Sequence, residues 1–209
     1  MLFETIVVGP LGVNCFILGD KQSNEGVVVD PGADCELILA AVARFGIKVK
    51  YVINTHGHFD HVGCNGPMKE QTGAELLIHQ GDLALLSRSS SSATKYGLQV
   101  EASPSPDRHL EDGMRLDFGR RSIEVLHTPG HTQGGCSLYL ANEKLLITGD
   151  TLFAESVGRT DLPGGSHEQL IASIKGKLMP LPDETIVWPG HGPSSTIGRE
   201  RRVNPYINE

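Results

Sequence analysis

The chain has 209 residues, a formal net charge of −7 and 39% hydrophobic residues. Its acidic balance, 25 Asp and Glu against 18 Lys and Arg, excludes a general nucleic-acid surface, which needs an excess of positive charge. No apolar run reaches the ~20 residues of a membrane-spanning helix, and the opening residues 1–5 carry no basic segment ahead of an apolar one, so neither a span nor a secretory signal is expected.

This length suits a single domain over 1–209 that buries its core unaided, and a cytoplasmic location is expected. The cysteines Cys15, Cys35, Cys64 and Cys136 show no C-x-x-C spacing. They are expected to be reduced, half-buried packing residues. Cys64 lies close enough to the histidine run described below to line it.

Short strands are predicted over 3–8, 14–18 and 26–30, with turns at Gly9-Pro10 and at 19–25. Asp34 as N-cap, the spacing Leu37, Ile38, Ala41, Val42, Phe45 and Gly46 as terminator predict an amphipathic helix. The apolar, β-branched run 51–54 reads as a buried strand and leads into Thr55-His56-Gly57-His58-Phe59-Asp60-His61. A helix near 66–72 has Pro67 in its first turn. A strand at 75–78 is followed by His79, expected to be structural or exposed, and by Asp82 as cap of a short helix at 83–86. The Ser- and Pro-rich segment 87–107 is predicted to be a long loop, either a binding loop or lid or an idle insertion. Further strands are expected at 114–117, 123–127, 136–140, 145–148 and 185–188. Ser166-His167-Glu168-Gln169 has capping-box form ahead of Leu170, Ile171, Ile174 and Leu178 at helical spacing. The polar tail from 194 onward is expected to cover a sheet edge.

The chemistry is concentrated in the order His-x-His-x-Asp-His at 56–61. Histidines this close together disfavour one another's protonation. A divalent cation reverses that cost, because neutral imidazole and carboxylate are preferred ligands. Side chains at i and i+2 of an extended segment share a face, so His56 and His58 are expected to grip one ion. Asp60 and His61, after the turn, face a second beside it. Gly57 leaves the backbone free to wrap closely. Apolar runs elsewhere also end in reactive groups: 27–29 in Asp30, 123–126 in His127-Thr128-Pro129-Gly130-His131, 145–148 in Gly149-Asp150 and 186–188 in Pro189-Gly190-His191. Sheets with helical layers place their sites outside the strand carboxyl ends, and by that pattern His131, Asp150 and His191 join the first cluster. His127 is expected to support its turn, with His109 and His167 exposed.

Taken together, Thr-His-x-His-x-Asp-His, Thr-Pro-Gly-His-Thr, Thr-Gly-Asp-Thr and Pro-Gly-His-Gly resemble the ordered motifs of the metallo-β-lactamase superfamily, from Asp30 to His191. The resemblance implies an α/β fold, an αββα sandwich of two mixed β-sheets flanked by helices. It implies a first metal on His56, His58 and His131, a second on Asp60, His61 and His191, and Asp150 bridging the two. The cofactor implied is a pair of divalent ions, zinc foremost, although the donors also accept iron or manganese. Aspartate rather than cysteine at position 150 is similar to the hydrolase branches. Val157-Gly158-Arg159-Thr160-Asp161 and Arg199-Glu200-Arg201-Arg202-Val203-Asn204-Pro205 resemble the short glyoxalase-II-like, or hydroxyacylglutathione hydrolase-like, group. Full-length glyoxalase II carries a C-terminal helical domain that helps hold glutathione. Here 18 residues follow His191 (191 to 209), so that domain is expected to be absent and its glutathione contacts are not carried over.

The function implied is hydrolysis of a small thioester or ester of the S-lactoylglutathione type, the partner being that small molecule and neither nucleic acid nor membrane. Two cations ~3.5–4 Å apart share a water and lower its pKa toward ~7, so the nucleophile implied is a bridging hydroxide, with Asp60 or a metal-bound water handling the proton. No G-x-S-x-G elbow offers a competing nucleophile. Asp30 either bonds the histidine loop from behind or is a turn residue before Pro31. Arg159 either anchors a substrate carboxylate or pairs with Asp161, both within reach of its planar fork. Two other classes stand beside the hydrolase. Persulfide dioxygenases have a similar Gly-Arg-Thr-Asp stretch and use one iron, here on His56, His131 and Asp150; the last class is a metal-binding module without catalysis. The complete second ligand set ranks the hydrolase first.

Overall fold

The apolar runs of the first half pair into one mixed sheet in a computed structural model that describes residues 1–208. β1 (Leu2–Val8), β2 (Val13–Gly19) and β3 (Glu25–Val29) are antiparallel neighbours. α1 (Cys35–Phe45) crosses over, so β4 (Lys48–Ile53) lies parallel to β3. The short helices α2 (Phe59–Val62) and α3 (Asn65–Thr72) lead to β5 (Glu75–His79), parallel to β4. α4 (Leu83–Ser87) and α5 (Ser89–Thr94) precede β6 (Arg108–Leu110), which completes the order β1-β2-β3-β4-β5-β6.

The second half builds a matching layer. β7 (Arg115–Phe118), β8 (Arg121–His127), β9 (Cys136–Leu140) and β10 (Leu145–Gly149) run antiparallel in sequence. The hairpin of β11 (Leu152–Phe153) and β12 (Ser156–Val157) follows. α6 (His167–Ser173) continues as a π-helical turn over Ile174–Leu178 and returns the chain to β13 (Ile186–Pro189), parallel to β10. β14 (Ser195–Thr196) pairs on the far side of β13, so the tail does cover a sheet edge, and α7 (Ile197–Val203) follows it.

Because side chains alternate along a strand, the central strands feed two apolar layers. Inner-face Phe16, Leu18, Val29 and Ile53 meet Phe118, Ile123, Val125 and Ile147 of the second sheet. The outer face of the first sheet, with Ile17, Val28 and Val52, packs under Ile38, Val42 and Met68. Leu146 and Val187 of the second sheet pack under Leu170, Ile174 and Leu178. Full burial of such side chains contributes about 1.5–3 kcal/mol each. The result is the expected αββα sandwich of two mixed sheets flanked by helices. Among the described residues no helix is long and apolar enough to cross a membrane.

The structure corrects several expectations. Cys35 and Cys64 form a disulfide, with Cα atoms 5.4 Å apart, because the first turn of α1 lies against the α2–α3 junction. A sequence separation of 29 hides that closeness. Cys15 and Cys136 remain free and buried, and burial pushes both thiols well above the usual cysteine value. Asp34 holds the N-cap position of α1, but its side chain makes no capping bond; it sits in the left-handed region at φ 53, and its carboxylate accepts the Gly9 amide at 2.8 Å instead. The segment 87–107 is not all loop. α5 forms there because Ser89 and Ala93 are buried against the rest of the fold; the hydroxyls of Ser91 and Thr94 donate to the carbonyls of Arg88 and Ser90. At α6, Ser166 accepts the Gln169 amide at 3.3 Å, but the Ser166 amide donates to Gly130, so only half of the capping box exists.

Candidate metal centre

Each ligand loop begins where a strand stops. After β4, the Thr55 amide and hydroxyl donate to the Asp30 carboxylate at 2.7 and 2.6 Å, which turns the chain toward the cleft between the sheets. α2 starts at Phe59 and carries Asp60 and His61 in its only turn. The loop passes Gly32 so closely that a Cβ there would lie 1.6 Å from the Asp60 carbonyl oxygen; any larger residue would displace Asp60. The turn after β8 brings His131, the end of β10 brings Asp150, and the end of β13 brings His191. The Asn14 amide donates to the carbonyls of Pro189 and Gly192, both at 2.9 Å, and so fixes the last turn from β2.

These side chains meet. The donor atoms of His56, His58 and His131, of His56, His61 and Asp150, and of Asp60, His61 and His191 each lie within 4.8 Å of one another. Outward ring nitrogens are engaged: Nδ1 of His61 with Asp30 at 3.0 Å, of His131 with the Arg159 carbonyl at 2.7 Å, and of His191 with the Leu11 carbonyl at 3.0 Å. A ring that donates through Nδ1 turns an unprotonated Nε2 inward, the tautomer a metal requires. Inside, His131 Nε2 faces His58 Nδ1 at 2.9 Å and His61 Nε2 faces His191 Nε2 at 3.3 Å. Asp150 lies between the sets, 3.6 Å from His61 Nε2 and 3.7 Å from both His131 Nε2 and His191 Nε2. His56 Nε2 and Asp150 Oδ1 are buried with no hydrogen-bond partner. Orphaned buried acceptors are costly, and cations between the rings satisfy both. The donor set, imidazoles and carboxylates without thiolate, fits divalent metals.

The model of the metallo-β-lactamase superfamily matches residues 8–191. The chain belongs to the metallo-β-lactamase superfamily. Hydroxyacylglutathione hydrolase GloC of Haemophilus influenzae is 36% identical over 210 residues, covering 100% of this chain and 99% of that protein. The solved structure of BLEG-1 B3 metallo-β-lactamase superposes with a TM-score of 0.92 at 35% identity, covering 100% of both chains. That of TTHA1623 in a di-iron-bound form has a TM-score of 0.90 at 40% identity, covering 97% of this chain and 99% of the other.

The electrostatics suit a superfamily metal centre. Burial, reinforced by the neighbouring imidazoles, drops His56 well below the usual histidine value and His58 to about 4. For His61 burial also acts downward, but the carboxylates of Asp150, Asp30 and Asp60 outweigh it and lift the ring to about 10. Burial would raise Asp60, yet the His191 hydrogen bond and the charge of His61 hold it well below the carboxylate range. Without cations, protons must balance the carboxylates.

The predicted ligands His56, His58, Asp60, His61, His131, Asp150 and His191 are thus brought together. Asp30 bonds the histidine loop from behind. Arg159 pairs with Asp161 through two contacts of 2.7 Å and reaches the centre through its backbone carbonyl. His79 and His127 stack on each other at 4.0 Å, while His109 and His167 are exposed. Sequence reasoning missed Asn14, the reciprocal amide pair Asn54–Asn65 behind His61, and the role of Asp82. The partners of Asn14 and Asp82 are distant in the chain, and a polar residue within a strand or at a helix start carries no signal of what it will meet.

Proposed function

We propose that the protein is a dinuclear metal-dependent thioester hydrolase of the glyoxalase-II-like type, acting on a small thioester such as S-lactoylglutathione. The observation that carries the reading is the complete second donor set, Asp60, His61 and His191, joined to the first through Asp150. The full-length similarity to a hydroxyacylglutathione hydrolase supports the substrate class. His56, His58 and His131 would hold one divalent ion and Asp60, His61 and His191 the other. Zinc is the ion proposed, and iron is equally compatible with these donors. Bound there, the ions supply Lewis acidity and a water deprotonated near neutral pH.

The protein's own groups do the rest. In the reaction, a water oxygen bonds to the thioester carbonyl carbon, the C–S bond breaks, and the products are a carboxylic acid and a thiol. Asp60, whose Oδ2 lies 3.5 Å from His191 Nε2, would hold the proton released on attack until it passes to the departing sulfur. Asp30 and the carbonyls of Arg159 and Leu11 keep the imidazoles in the unprotonated-inward tautomer. Arg159, exposed at the rim, is the group available to a substrate carboxylate, in exchange for Asp161.

The test is to assay metal-loaded protein for thioester cleavage with S-lactoylglutathione and for oxygen uptake with glutathione persulfide. Thioester loss without oxygen uptake is expected, with kcat lowered about 10²–10⁴-fold by Asp60→Asn. Oxygen consumption with one iron per chain would replace the hydrolase by a dioxygenase.

A further inference from the structure

Asp82 lies on the 3-10 turn Gln80–Asp82 between β5 and α4, and its side chain is wholly buried. Its carboxylate does not cap the following helix. Oδ2 accepts the Gly57 amide at 2.9 Å and the Thr132 hydroxyl at 2.7 Å, and Oδ1 accepts the Gly134 amide at 2.7 Å. Gly57 lies between the ligands His56 and His58; Thr132 and Gly134 follow the ligand His131. One side chain therefore ties together the two loops that form the first donor set. The fit is tight: a Cβ at Gly134 would lie 2.7 Å from the Asp82 Cγ, and one at Gly57 would lie 2.9 Å from the Asp82 carbonyl oxygen.

Burying a carboxylate costs free energy that a hydrophobic side chain would not. What it provides that a hydrophobic residue cannot is a rigid two-ended acceptor spanning both loops. We propose that Asp82 is a positioning residue for the His56–His58–His131 set alone. It holds His58 and His131 in register across the cleft, whereas Asp30 contacts His61 directly and reaches His56 through the Thr55 hydroxyl. The inference rests on reading these histidines as a metal-holding set; it does not depend on the substrate.

The test reads zinc affinity, by competition with a chromophoric chelator, in two backgrounds. His191→Ala leaves the first set intact, and His58→Ala leaves the Asp60–His61–His191 set. Asp82→Asn keeps the volume but puts an amide NH2 where an acceptor stood. It is expected to weaken zinc binding ~10–100-fold in the His191→Ala background and to leave it unchanged in the His58→Ala background. Thr132→Val should shift affinity in the same direction with the same set selectivity, and Thr132→Ser, which keeps the hydroxyl, should restore it. If Asp82→Asn does not fold, the Thr132 pair decides alone. Unchanged affinity in the His191→Ala background, or equal loss in both, overturns the proposal. If the His191→Ala parent itself binds no zinc, the metal reading fails and the proposal falls with it.

Discussion

Asp30, just after β3, and Asp82, just after β5, flank the end of β4 in the same sheet, and the sequence offers a supporting role only for Asp30, beside a plain turn role. Asp30 ends an apolar run just as the ligands do, so position alone suggested support for the histidine loop. Asp82 follows a strand that ends in His79 and precedes a plausible short helix, so a capping role was the natural reading. Its real partners lie 25, 50 and 52 residues away. His79 also has an outcome at this scale. Burial, then the charges of His127 and His109, lower it to about 4. The unfolded chain therefore takes up a proton near 6.5 that the folded chain refuses until about 4. The stability that neutral His79 contributes is fully present above 6.5 and is lost as pH falls toward 4. His79→Phe keeps a ring against His127 but removes the titration. Denaturant melts across this pH window should show a shallower acid loss in the variant than in the parent; equal slopes would contradict this account of His79.

The longer strands and α1 followed directly from periodicity, with ends moved by one to three residues. The elements that local pattern misjudged are those stabilised across the chain. α5 is a run of serines whose helix is held by burying Ser89 and Ala93 against the rest of the fold. The stretch Arg199 to Pro205, read only as a mark of the short glyoxalase-II-like branch, holds a structural knot. Buried Glu200 accepts the Glu155 amide at 2.8 Å and the Ser195 hydroxyl, and Asn204 donates to the Ser156 carbonyl at 3.1 Å. α7 thereby pins the β11–β12 hairpin, which precedes Arg159. The disulfide joins α1 to the α2–α3 junction at Cys64, two residues beyond the helix that carries Asp60 and His61. Closing a loop of 29 residues restricts the unfolded chain, worth about 3–4 kcal/mol in the loop-entropy model. Reduction, or Cys35→Ser with Cys64→Ser, should lower the unfolding free energy by an amount of that order in denaturant titrations. A melt insensitive to reductant would contradict the pairing.

At the scale of the molecule, each half of the chain contributes one sheet, and the ligands of both halves meet in the cleft where the sheets' strand ends converge. The candidate ligands were legible because metal chemistry restricts which residue types can sit at successive strand ends. The supporting framework was not, because Asp82, Asn14 and the cysteine pair obtain their roles only from the packing of one half against the other. The account stands on two donor sets sharing Asp150. Elemental analysis of metal-saturated protein tests it most directly. It predicts two divalent ions per chain, falling to one in His191→Ala and to one in His58→Ala. A single ion per chain that persists unchanged in His191→Ala would contradict it.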